Sequence, residues 1–385
     1  MATILLPKEI HVGGGTLGNL PTILKSHDFE APILIADPFI LSTELGDRVI
    51  SSLRSENLRL RVFSGVVPDP TTSSVEAAVQ FINQDIHDCV LALGGGSAID
   101  TAKAAAVLAK RGGMMRELKT PRVEDVKGLP IVAIPTTAGT GSEATRFTIV
   151  TDDETGEKML CPGAAYLPDI AVVDYELTIT KPRRLTADTG IDALTHAIEA
   201  YVSKQASPFT DVLALAAMRS ISANIRRAFH RPSDCEAREA MMLASLNAGI
   251  AFSNSSVALV HGMSRPIGAH FHVAHGLSNA MLLPAVTAWS SEMATDRYKD
   301  CAVAMGLADP SAHPIDAVSA LLAELKDLNA EFEVPTPKAF GIEFEKWEGL
   351  LPLMAEQALA SGSPGNNPRV PAAAEIVELY RKVWS

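Results

Sequence analysis

The chain has 385 residues, with 33 Lys and Arg against 45 Asp and Glu for a formal net charge of −12, and 47% of it is hydrophobic with few aromatics. Length and composition suit two ordinary domains with a large core of Ala, Leu, Val and Ile, and the acidic balance, without any long Lys/Arg cluster, excludes nucleic acid as a partner. No apolar run of about 18 or more residues is free of charges or breakers and no basic-then-apolar leader opens the chain, so it reads as a cytoplasmic protein with no membrane partner.

Taken in order, the first half alternates β-rich runs with helical stretches. Residues 13–18 (GGGTLG) formally satisfy G-x-G-x-x-G but follow only a brief apolar run, and a tight turn is the alternative. Candidate strands are residues 32–37, 60–64, 89–93, 131–134 and 170–173; helices are expected at 72–84 and 98–110. Several of these strands are continuous apolar runs, as in a parallel sheet covered on both faces, so the fold class is a doubly wound α/β unit. Beyond about Pro182 strand-like runs vanish, and long Ala/Leu/Met-rich helices are expected at 187–204, 211–228, 234–252 and 314–328. Cys89, Cys161, Cys235 and Cys301 form no CxxC pair and read as reduced thiols.

Gly94, Gly95, Gly96 and Ser97 lie directly between the strand at 89–93 and a helix. Successive glycines let a phosphate approach the backbone, and the free N–H groups of a helix start favour an anion. Ser97 is expected to be the N-cap, with Asp100 completing a box-like start. Asp37 ends a strand, where a carboxylate can accept bonds from an adenosine ribose and repel a 2′-phosphate, favouring NAD over NADP; a turn-starting Asp before Pro38 is the alternative. The loop at 135–143, with Thr136, Thr137 and Ser142, follows another strand end and reads as a polar ligand loop.

In the second half Asp192 and His196 stand at i and i+4, one turn apart on one helical face, a spacing that suits chelation. The segment 261–276 carries His261, His270, His272 and His275. Neutral imidazoles ligate Fe²⁺ or Zn²⁺ readily, and spacing alone does not choose among the last three.

Four ordered stretches, GGGSAIDTAK (94–103), AIPTTAGTGSE (133–143), GIDALTHAIEAY (190–201) and HGMSRPIGAHFHVAHG (261–276), resemble the iron-containing (group III) alcohol dehydrogenase family over essentially the whole chain. The resemblance implies an α/β NAD-binding domain at 1–182 and an all-α metal-binding, catalytic domain at 183–385, with the active site in the cleft between. It implies Asp192, His196, His261 and His275 as ligands of one divalent metal, Fe²⁺ first and Zn²⁺ second. Gly95, Gly96 and Ser97 would then meet pyrophosphate, Thr136, Thr137 and Ser142 would line the cofactor cleft, Asp37 would bind ribose, and Lys158 and Leu177 carry over as further cofactor contacts. A homodimer is the family-like expectation.

Two positions depart from the family pattern. Arg265 stands where many members have a histidine four residues after the third ligand; a guanidinium does not titrate near neutrality, but its fork suits a carboxylate, sulfonate or phosphonate, unless a neighbouring acid pairs with it. Asp69 replaces a frequent Asn and is expected to add negative charge near the adenosine end. The activity implied is metal-dependent, NAD(H)-linked hydride transfer between a small primary alcohol and its aldehyde, with His272 favoured for proton exit. The alternatives are a hydroxyacid dehydrogenase or transhydrogenase, a reductase of an anionic aldehyde held by Arg265, and a non-redox lyase of the dehydroquinate synthase type.

Overall fold

The computed structural model describes residues 3–385 and divides into two compact units, Ile4–Thr180 and Lys181–Ser385. The first holds strands β1 Glu9–Val12, β2 Pro32–Ala36, β3 Arg61–Phe63, β4 Cys89–Gly94, β5 Ile131–Pro135, β6 Phe147–Thr151, β7 Lys158–Pro162 and β8 Ile170–Val173. Its helices are α1 Leu20–Ser26, α2 Pro38–Leu41, α3 Glu44–Ser55, α4 Thr72–Ile82 and α5 Gly96–Arg111. Six strands form one sheet in the order β1-β8-β5-β4-β2-β3, every neighbour parallel. Alternate residues of β2 and β4 feed opposite cores: Leu34, Ala36, Leu91 and Leu93 pack with Leu24, Val49 and Leu53, while Ile33, Ile35, Val90 and Ala92 pack with Ala78, Ile99 and Ala102. Both faces are therefore helix-covered, and the unit is the doubly wound parallel sheet that the continuous apolar runs predict.

Two features depart from the sequence pattern. Strands β6 and β7 pair as an antiparallel hairpin whose inward residues Val150, Met159 and Cys161 pack on Ala104, Val107 and Leu108 of α5. The sheet covers one flank of α5 and the hairpin the other, which explains a helix apolar nearly all round. The second departure corrects the cap of α5: the helix starts at Gly96, Gly95 is its N-cap, and no side chain caps it. Gly94 (φ 155) turns the strand directly into the helix, so Ser97 is already inside the first turn and Asp100 closes no capping box. Ser97 Oγ instead accepts a bond from the Asp69 amide at 3.3 Å, and Asp100 faces the hairpin, accepting from the Ile149 amide at 3.0 Å.

The second unit is helical: α6 Arg183–Val202, α7 Pro208–His230, α8 Cys235–Ser255, α9 Leu259–Phe271, α10 His275–Ser291, α11 Thr295–Ala304, α12 Pro314–Glu331, α13 Pro337–Phe340, α14 Phe344–Ala360 and α15 Ala373–Lys382. Helix α6 is buried along most of its length, polar residues included. Among the described residues no single helix is long and apolar enough to cross a membrane; α8 and α9 pass that test only as a pair bent by 103°. The cysteines are all free.

The G-x-G-x-x-G segment is a turn filled from within. Asp174, just after β8 and 1% exposed, accepts the Gly15 amide at 3.2 Å and the Leu17 amide at 3.0 Å. An internal carboxylate thus stands where an anion would be cradled, and the tight-turn reading of residues 13–18 fits the geometry. Asp174 also accepts the Glu176 amide at 3.1 Å, so Asp174→Ala should lower stability by about 4–5 kcal/mol, three charge-assisted bonds at about 1.5 kcal/mol each, with KM for the nicotinamide cofactor unchanged. Urea unfolding and cofactor titration check the two halves of that expectation, and a raised KM would reopen the phosphate reading.

Candidate metal centre and nucleotide loops

One carboxylate and three imidazoles converge in the helical unit. Asp192 and His196 leave one face of α6, His261 sits in the first turn of α9, and His275 opens α10. One potential ligand atom from each lies within 4.8 Å of the others. Asp192 Oδ1 is 3.8 Å from His196 Nδ1, 3.5 Å from His261 Nε2 and 3.7 Å from His275 Nε2. The donor set fits a borderline divalent ion: neutral nitrogens and one oxygen anion held close in a dry environment. Burial alone would push Asp192 up, yet the three imidazoles bring it well below the usual carboxylate range. Side-chain exposure is 2–6% for Asp192, His196 and His261 but 35% for His275, so the cluster opens on the His275 side.

Packing holds the rings in place. His196 stacks between Phe252 at 4.2 Å and His261 at 4.3 Å, centroid to centroid. Two residues that the sequence reading passed over complete the arrangement. Glu199, one turn beyond His196 on the same face of α6, accepts His261 Nδ1 at 2.7 Å and also the amides of Ala258 at 2.8 Å and Val260 at 2.6 Å. It therefore caps α9 and fixes the His261 tautomer with Nε2 toward Asp192. Asn279, one turn after His275, donates Nδ2 to Asp192 Oδ1 at 2.7 Å and lies 3.1 Å from His261 Nε2. The i+4 and i+7 spacings from named ligands were the available signal for both.

The structure does not bring every candidate to this cluster. His272 is an exposed residue that ends α9 in the left-handed region, φ 55. His270 is tied to Gln357 Oε1 at 2.8 Å. Arg265 is buried on α9, where burial pushes its guanidinium down to about 10 against a partial offset from Glu199.

In the α/β unit, Gly94 to Ser97 carry the chain from β4 into α5, where the Ala98 and Ile99 amides already bond the Gly95 carbonyl and the Gly96 and Ser97 amides precede any intrahelical partner. A Cβ on Gly96 would stand 3.0 Å from Thr140 Cγ2 and one on Gly94 2.6 Å from Ala98 Cβ, so these walls admit no side chain. Thr136 Oγ1, on the adjoining loop, is buried without a protein partner, and a Cβ on Gly95 would meet Thr137 at 3.4 Å. This narrow, donor-rich strand end fits a dinucleotide phosphate. Asp37 both caps α2, accepting the Ile40 amide at 2.8 Å, and points its second oxygen toward Gly94, 3.7 Å from a Cβ built there. The two readings of Asp37 are compatible.

Other candidates are committed elsewhere. Ser142 Oγ donates to Asp100 Oδ1 at 2.8 Å and accepts from Lys103 Nζ at 3.1 Å. Lys103, fully buried, also donates to the Thr145 and Phe147 carbonyls, each at 2.9 Å, and ties the whole loop to α5. Leu177 packs in the sheet core. Lys158 Nζ is 2.9 Å from Asp69 Oδ1. That pair corrects the expectation for Asp69, because Lys158 offsets its charge.

Two family models match the chain: "Iron-containing alcohol dehydrogenase" over residues 7–175 and "Fe-containing alcohol dehydrogenase family, C-terminal" over 186–384. The chain is 41% identical to Long-chain-alcohol dehydrogenase 1 of Geobacillus thermodenitrificans (strain NG80-2), covering 91% of this chain and 89% of that protein. It is 34% identical to the NAD-dependent methanol dehydrogenase of Bacillus methanolicus, over 99% of both. Among solved structures, a 1,3-propanediol oxidoreductase superposes with a TM-score of 0.94 at 32% identity, covering 100% of each chain.

Two predictions test the supports just described. Glu199→Gln should weaken metal binding about 10- to 100-fold, read by competition with a chelator; unchanged affinity would mean that His261 needs no orienting partner. Glu143, fully buried beside Lys103, is pushed up by burial to about 7 from 4.5. A raised folded value means stability that is present below about pH 4.5 and lost as pH rises through about 7. Glu143→Gln should therefore shrink the fall in urea midpoint between pH 5 and pH 8 relative to the parent protein.

Proposed function

The chain belongs to the iron-containing alcohol dehydrogenase family, and from that premise we propose that it interconverts a small primary alcohol and its aldehyde with NAD⁺/NADH, using Asp192, His196, His261 and His275 to hold one Fe²⁺. The family makes it an oxidoreductase that uses a metal and NAD(P) on an alcohol or aldehyde. The choice of NAD, of iron and of substrate is our reading. The observation that carries it is the convergence of the four donor atoms within 4.8 Å.

Bound there, a divalent ion supplies Lewis acidity toward an alcohol or carbonyl oxygen. The protein's own contribution is positional. Asp192 supplies the single anionic donor, Glu199 holds His261 with Nε2 inward, and Phe252 fixes the His196 ring plane. The more exposed flank of the cluster, at His275, is the side from which a substrate oxygen can approach. In the α/β unit, Gly95, Gly96 and Ser97 would receive the pyrophosphate and Thr136 and Thr137 would border it. Asp37 would take the ribose hydroxyls and disfavour a 2′-phosphate. The balanced reaction is aldehyde, NADH and a proton giving alcohol and NAD⁺. Assembly as a homodimer belongs to the same proposal and rests on the family resemblance alone.

Iron is placed before zinc on that resemblance, since an Asp/His₃ set accepts either ion. The test is a panel of short aldehydes and alcohols on protein reconstituted with Fe²⁺ or Zn²⁺, followed at the reduced-nicotinamide absorbance with NAD(H) and NADP(H) in parallel. Turnover is expected with Fe²⁺ and NAD(H), and its loss on chelation. A higher kcat/KM with NADP(H) would overturn the role given to Asp37. No turnover with any pair would overturn the proposal.

A further inference from the structure

Arg265 is a buried charge in the helical unit that the proposed chemistry leaves unused. It stands one turn after His261 on α9, so the two side chains leave the same face of the helix. Only 8% of the residue is exposed. An ion removed from water to this extent costs several kcal/mol unless an opposite charge or a full set of hydrogen bonds compensates it. Neither is present among the described residues. The single bond of Arg265 is from Nη1 to Ser363 Oγ at 2.9 Å, a neutral acceptor. Glu199, the carboxylate whose charge it feels, already receives three backbone amides and the His261 side chain.

A second buried arginine shows what a structural role looks like. Arg238, 3% exposed, gives Nε to the Pro232 carbonyl and Nη1 to Thr186 Oγ1, both at 2.9 Å, and its Nη2 is sealed from solvent without a partner. No Arg265 nitrogen is sealed in that way. Its remaining donors thus have no protein acceptor yet keep access to a water-sized space, one turn from a ligand of the proposed centre. A planar fork of this kind matches a carboxylate, sulfonate or phosphonate in bidentate geometry.

We propose that Arg265 binds an anionic group on the substrate, so that this chain acts on short aldehydes and alcohols bearing a carboxylate, sulfonate or phosphonate. The proposal rests on the oxidoreductase reading above and names the substrate class of the same site. The i, i+4 placement beside His261 points to short substrates. Arg265 takes no part in bond making; it supplies charge, orientation and selectivity.

The test compares matched pairs on the Fe²⁺-loaded protein: propanal with 3-oxopropanoate, butanal with 4-oxobutanoate, acetaldehyde with sulfoacetaldehyde. The parent should favour the anionic member of at least one pair by tenfold or more in kcat/KM. Arg265→Gln should lower that anionic-to-neutral ratio about 100-fold, mainly through KM, and Arg265→Lys by less. Equal kcat/KM across every pair in the parent, or an equal loss on both members in the variant, overturns the clamp and leaves the oxidoreductase reading intact. No turnover of any aldehyde overturns that reading instead. An arm without turnover reads the anion site directly: propanoate and ethanesulfonate should raise the melting temperature of the parent more than propanamide does, and equal shifts overturn the proposal. This arm needs only the parent, so it stands if Arg265→Gln fails to fold.

Discussion

The helical unit depends on where one carboxylate, Glu199, ends up. It sits on α6, in the same row as Asp192 and His196, and it accepts the first amides of α9 together with the Nδ1 of His261. A buried helix start with unsatisfied amides would cost about 1–3 kcal/mol per group. Glu199 removes that cost and orients the His261 imidazole with the same two oxygens. The registry of α6 against α9 and the direction of His261 Nε2 are therefore one interaction. Any shift of α9 that broke the cap would also turn the imidazole.

The α/β unit uses the same device with different residues. Asp174 gathers the amides at residues 13–18, and Lys103 gathers the hydroxyls and carbonyls of residues 142–147. Each is a single buried charge that fixes an irregular segment lacking a hydrogen-bonding partner of its own. Burial pulls Lys103 down to about 8 and lifts Glu143 to about 7, so this loop is held by groups that titrate close to physiological pH. Regular elements need no such help: β2, β4, β5 and β8 are fixed by apolar side chains on both faces.

What the sequence disclosed follows that division. Continuous apolar runs revealed the parallel strands, and the i, i+4 spacing revealed Asp192 with His196, because period and burial are local properties. The hairpin of β6 and β7 escaped notice since each is only five residues long and its buried partner, α5, lies far along the chain. Ser97 looked like a cap by residue type, but Gly94 allowed the helix to begin before it. Asp69 looked like added negative charge, and Lys158 on β7, some ninety positions later, offsets it. Glu199 and Asn279 were visible as helix-face neighbours of the candidate ligands, yet nothing local distinguishes a carboxylate that caps another helix from one that faces water.

Charge balance in the helical unit bears on both the metal and the substrate. Asp192 and Glu199 bring two buried negative charges, and Arg265 brings one positive charge that feels Glu199 but is hydrogen-bonded to no carboxylate. With neutral histidines a divalent ion bound at the cluster would offset the two acids, and Arg265 would then leave this neighbourhood one net positive charge. In an interior of low dielectric such an excess is costly unless an anion shares the site. A neutral alcohol brings no anionic group to offset it. A substrate carrying its own carboxylate, sulfonate or phosphonate would bring one, at the Arg265 guanidinium. The electrostatics that suit the four-residue cluster to a cation would, on the proposed reading, also favour anionic substrates beside it.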